Sequence, residues 1–116
     1  MHSKAKGPTK AERLRMAWIK EDGCGPCRKI GIVNLADADH EVVGGKRTGH
    51  SRTIPICPWH HRGVPPNGWT ASMAEMQLGP TKSRDMRGFY SRFGTFDEQL
   101  AEVNERYENR QRPAGY

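Results

Sequence analysis

Apolar residues are scarce in this chain: 34% of its 116 residues are hydrophobic, enough for one domain but thin for a core that stands on packing alone. A chain of this size needs a further staple. Cysteine is too rare to supply a disulfide framework, because three cysteines leave one unpaired. No long apolar run is present, and the start, Met1-His-Ser-Lys-Ala-Lys6, is polar and basic. Neither a signal peptide nor a membrane span is therefore expected, and the expected setting is reducing and cytoplasmic. Acidic residues are the minority, 13 against 19 lysines and arginines, for a net charge of +6. That balance suits a polyanionic partner through counterion release at phosphates, and equally a protein that merely stays soluble.

What is present reads as a single domain over 1–116, with residues 1–8 as a flexible basic arm. Thr9 and Glu12 have the spacing of a capping box, so a helix is expected from there, with Leu14 and Trp18 on one face and a stop at Asp22-Gly23. The β-branched residues over 30–43 predict extended segments, Gly44 to Ser51 a glycine-rich basic loop, and Thr53-Ile-Pro-Ile56 a short return strand. Together these make a hairpin. Pro58 at a first helical position and Gly63 as a stop frame a short helix after Cys57. Further helices are expected over 72–78, 82–93 and 95–110, the last with a second capping box at Thr95 and Glu98 and an apolar face of Leu100, Val103 and Tyr107.

The missing staple is found in spacing. Cys24-x-x-Cys27 and Cys57-x-x-His60 lie about thirty residues apart, two ligand pairs that suit a closed tetrahedral Cys3His zinc site with a structural role. Cys24-Gly-Pro-Cys27 also has redox-dithiol spacing, but such a motif opens a helix after a strand, whereas this one follows a helix.

Asp37, Asp39, His40, His50 and His61 remain close in sequence once those ligands are set aside. Phosphodiester hydrolysis needs a base with a near-neutral pKa and a cation to offset developing negative charge, and imidazole with carboxylate supplies both. The order Asp39-His40, loop, strand, Cys57-x-x-His60-His61 resembles the ββα-metal (HNH) endonucleases. The longer strings Asp37 to Arg47 and Thr53 to Gly63 are similar to the phage recombination-enhancement nucleases, which depend on a RecA-type recombinase filament. The resemblance implies a zinc-stapled α+β fold and a DNA endonuclease of phage or prophage origin working in a bacterial cell. It implies His40 as general base, Asp39 and His61 as ligands of a catalytic Mg2+ or Mn2+, and Cys24, Cys27, Cys57 and His60 as zinc ligands.

Neighbouring strand residues point to opposite faces, so Asp39 and His40 share a site only if the strand ends, bends or bulges there. On a regular strand Asp37 would share a face with Asp39, which makes Asp37 the reserve ligand or supporting partner. The family's central asparagine has no counterpart before Cys57, and His50 is the nearest polar substitute, as a ligand, an orienter of His40 or a solvated loop residue. Helical geometry separates His60 from His61 by about 100°, so one can face each metal. Lys46, Arg47, Arg52 and Arg62 are candidate phosphate contacts. Trp59 and Trp69 read as packing residues. Two rivals keep the same residues: a non-catalytic zinc module that binds nucleic acid or protein, and a hydrolase with His40, His50 and His61 as a zinc trio.

Overall fold

The computed structural model describes residues 7–110, so the first six residues of the expected basic arm lie outside the described part. The chain is α+β, with six helices and two small antiparallel sheets among those residues. Helix α1, Lys10–Asp22, starts at the expected capping box, in which the Glu12 amide donates to Thr9 Oγ1 and the Thr9 amide to Glu12 Oε1. It stops at Gly23, whose φ of 108° and close approach to the Asn34 carbonyl leave no space for a Cβ. Its inward face is Arg15 and Ile19, one residue round from the expected stripe, of which Trp18 packs half-buried against the core while Leu14 is 58% exposed. Arg15 explains the rotation. Its buried guanidinium donates to Thr53 Oγ1 (2.6 Å), the Thr53 carbonyl (2.9 Å) and Asn104 Oδ1 (2.9 Å), and those bonds offset the cost of burying it.

The short helix α2, Gly25–Lys29, follows, and residues 30–36 are irregular rather than extended, with Val33 and Leu35 exposed. Strand β1, Asp37–His40, pairs antiparallel with β4, Thr53–Ile56, in unbroken register from Asp37 opposite Ile56 to His40 opposite Thr53. The expected hairpin is thus present. Its connecting loop folds back on itself as a ribbon of β2, Val42–Val43, and β3, Lys46–Arg47. Gly44 and Gly45 both have positive φ, the backbone that a two-residue hairpin turn demands.

Helix α3, Pro58–Arg62, is laid across the end of the hairpin and closes at Gly63 in the left-handed region. Helices α4, Ala71–Leu78, α5, Met86–Phe93, and α6, Phe96–Glu108, complete the described chain, and α6 buries Leu100 and Val103. The helix expected over 82–93 begins only at Met86, capped by Asp85. The Lys82 amide donates instead to the His60 carbonyl (2.8 Å), which holds residues 79–85 against α3 as a turn.

Ile19, Ile54, Ile56, Trp59, Phe89 and Phe93 form the centre of the core, and the three cysteines are buried among them. No helix of the described residues is long and apolar enough to cross a membrane.

Candidate metal centres

Two clusters of ligand-type residues flank α3, one on each side of the dipeptide His60-His61. The first is Cys24, Cys27, Cys57 and His60, all buried, with donor atoms within 4.8 Å of one another. One local device is used twice to build it. Cys24 caps α2 and Cys57 caps α3, each sulfur accepting the amide three residues on, with proline in the first helical turn. His60 Nδ1 lies 3.5, 3.5 and 3.2 Å from the sulfurs of Cys24, Cys27 and Cys57, and the Cys27 and Cys57 sulfurs are 3.7 Å apart. Zinc bonds of about 2.3 Å to sulfur and 2.0 Å to nitrogen place tetrahedral donors roughly 3.5–3.8 Å from each other. The residues fit that ion.

The remaining ring nitrogen fixes the geometry. His60 Nε2–H donates to the Leu78 carbonyl (2.7 Å), leaving Nδ1 for the sulfurs. Hydrogen bonds from Cys24 and Cys27 hold the Cys57 sulfur as a thiolate well below the usual thiol range, and the contacts with Cys27 and Cys57 push Cys24 far above it. Burial alone would lower the His60 imidazole, but the acceptors Cys27 and Cys57 and the Leu78 carbonyl outweigh it and bring it to about 9. Positive charge is favoured among the sulfurs, where a metal ion would supply it.

The second cluster gathers around His61. Nδ1 is 3.1 Å from Asp37 Oδ2 and Nε2 is 3.2 Å from Asp39 Oδ1, so the ring bridges two carboxylates. Strand β1 stays regular through His40, and Asp37 and Asp39 accordingly share one face. Asp39 is nearly buried. Burial would raise its pKa, but hydrogen bonds from His61 and Lys82 lower it. His61 is raised, chiefly by Asp39. Arg62 Nε reaches Asp37 Oδ2 at 3.2 Å.

His40 stands apart from this group, in a hydrogen bond that its Nε2 shares with His50 Nδ1 at 3.0 Å, the two rings edge to face. Burial and the positive charge of Arg47 lower the His40 pKa, which favours the neutral, proton-accepting ring. His40, His50 and His61 do not gather as a ligand trio, because His61 is turned to the two aspartates. Of the basic candidates, Lys46 and Arg47 are exposed on β3. Arg52 makes a two-pronged pair with Glu41 (2.6 and 3.0 Å) and a third bond to Asp97. Trp59 is buried as expected, whereas Trp69 is 36% exposed.

Sequence reasoning missed one member of the site. Lys82 Nζ lies 2.5 Å from Asp39 Oδ2, and the lysine side chain is 16% exposed. It is 43 residues from Asp39, and among several downstream cations nothing in the sequence singles it out.

Comparison with known proteins adds the family. The family described as recombination enhancement, RecA-dependent nuclease, matches residues 8–108. No curated protein matches the chain.

Proposed function

Since the chain belongs to the recombination-enhancement, RecA-dependent nucleases, we propose that it is an HNH-type endonuclease that hydrolyses DNA with the help of a divalent metal. Family membership makes it a nuclease and sets aside the reading as a non-catalytic module. The observation that supports the finer assignment is the Asp39–His61 pair on a strand and helix beside the Cys3His cluster. An octahedral cation with ligands at about 2.0–2.2 Å sets neighbouring donors roughly 3 Å apart. Asp39 Oδ1 and His61 Nε2, at 3.2 Å, suit that spacing, and the carboxylate suits Mg2+ or Mn2+. Asp37, on the other ring nitrogen, orients His61.

Bound there, the cation would offset charge on the phosphate and on the departing 3′ oxygen. Strand β1 ends at His40, the condition under which it can serve the same site as Asp39, and His40 would take the proton of the attacking water through Nδ1, because its Nε2 is engaged with His50. His50 is thereby an orienting residue rather than a ligand. Lys46 and Arg47 hold the phosphate backbone from the β2–β3 ribbon, while Arg52 and Arg62 are engaged with carboxylates. Cys24, Cys27, Cys57 and His60 would hold a structural zinc, which would keep α3 in place.

Attack of water on the phosphorus with departure of the 3′ oxygen leaves 5′-phosphate and 3′-hydroxyl ends. Nicked or cut DNA produced with Mg2+ or Mn2+ is therefore expected to be resealed by a ligase without end repair. Ends that carry a 3′-phosphate would overturn the mechanism.

A further inference from the structure

Lys82 is held too firmly to be an ordinary surface lysine. Its amide donates to the His60 carbonyl (2.8 Å), and Thr81 Oγ1 donates to the same oxygen (3.4 Å). Just upstream, Trp59 Nε1–H donates to the Gly79 carbonyl (2.9 Å) and His60 Nε2–H to the Leu78 carbonyl. The segment 78–82 therefore hangs on α3 between the two clusters, and its last residue delivers an ammonium to Asp39 Oδ2 over the Tyr90 ring, 5.9 Å from the ring centroid.

This placement divides the Asp39 carboxylate. Oδ1 faces His61 Nε2, and Oδ2 faces Lys82. An ammonium on one oxygen weakens the hold of the other on a divalent cation, because the two positive centres lie across a single carboxylate in a nearly buried place. A phosphate bound to that cation would lie beside the same ammonium, which keeps further N–H donors free of Asp39.

Building on the reading of Asp39 and His61 as the catalytic cation site, we propose that Lys82 is a functional residue of the reaction centre: it fixes the Asp39 carboxylate through Oδ2, restrains cation binding until DNA is present, and grips the scissile phosphate. The test measures Mn2+ affinity by calorimetry without DNA, and cleavage of DNA with Mn2+, for wild type, Lys82→Met, Lys82→Arg and Asp39→Asn. Lys82→Met is expected to bind Mn2+ roughly tenfold more tightly, in keeping with loss of one opposing charge, and yet to cut DNA at least tenfold more slowly. Lys82→Arg keeps the charge and should bind Mn2+ like wild type. A mere packing defect would weaken metal binding and cleavage together, so the opposite signs are diagnostic. Unchanged or weaker Mn2+ binding by Lys82→Met, or cleavage at the wild-type rate, overturns the role of Lys82. Wild-type Mn2+ affinity in Asp39→Asn overturns the cation-site reading beneath it.

Discussion

Charge pairs at single residues tie this thinly packed chain together, and Asp22 is the clearest case. At the end of α1 it accepts from Arg106 on α6 at 2.8 Å through both oxygens, and Arg28 of α2 reaches it at 3.1 Å. Those hydrogen bonds, Arg106 first, hold its pKa below the ordinary carboxylate value despite partial burial. A group with a depressed folded pKa contributes stability above its unfolded pKa, and the contribution is lost as pH falls through the folded value. Asp22→Asn is therefore expected to cost about 1 kcal/mol at neutral pH, with the gap to wild type closing below about pH 4. Urea unfolding across pH checks this, and a gap that persists undiminished at pH 3 would refute it. At this scale the sequence was legible where partners are local. Cys24 with Cys27 and Cys57 with His60 are each three apart and announce themselves. Arg15 as a core residue and Lys82 on Asp39 were not legible, because their partners lie 38 and 43 residues away and depend on tertiary packing.

Among the elements, the five-residue helix α3 carries a disproportionate share of the structure. Alone it is too short to persist in water, and Cys57 and His60 tie it to α2 through the Cys3His cluster while its carbonyls and side chains hold residues 78–82. A zinc ion held in that cluster would secure both, and its removal should release them. With Cys57→Ser, or after treatment with a strong zinc chelator, the thermal midpoint is expected to fall by roughly 10 °C or more. The Lys82 and Gly63 amides should lose hydrogen-exchange protection first. A chelated protein that keeps its midpoint and its protection would show that the cluster is not a structural site. The capped ends were readable from sequence, since Thr9 with Glu12 and Thr95 with Glu98 form the reciprocal bonds their spacing foretells. The start of α5 was not, because the amide of Lys82 goes to α3 rather than into a helix. Nor was the irregular run over 30–36, whose β-branched residues Ile32 and Val33 lie in a loop between α2 and β1.

Taken whole, the molecule sets a net charge of +6 against a site whose carboxylates are already matched by cations of its own, with Lys82 on Asp39 and Arg62 on Asp37. Affinity for DNA should then come from exposed cations such as Lys46 and Arg47. Arg47→Ala is expected to weaken binding uniformly across sequences and to reduce the steepness of its salt dependence by about one phosphate contact. Fluorescence anisotropy at several salt concentrations measures this, and an unchanged slope would remove Arg47 from the interface. The hairpin and the zinc-type cluster were legible in the sequence through local patterning, and the α+β class through the family resemblance. The division of the histidines was only partly so. A regular β1 puts Asp37 and Asp39 on His61 and leaves His40 with His50, an arrangement that spacing had left open. The proposed metal-dependent DNA cleavage, in concert with a recombinase, rests on His40 as the base. The most direct measurement compares wild type and His40→Ala on single- and double-stranded DNA with Mg2+ or Mn2+, with and without a RecA-type filament. Wild type is expected to cut when the filament is present, and His40→Ala to cut about 10²–10⁴-fold more slowly while binding DNA as well. Cleavage by wild type under none of these conditions, or equal cleavage by the variant, would contradict the proposal.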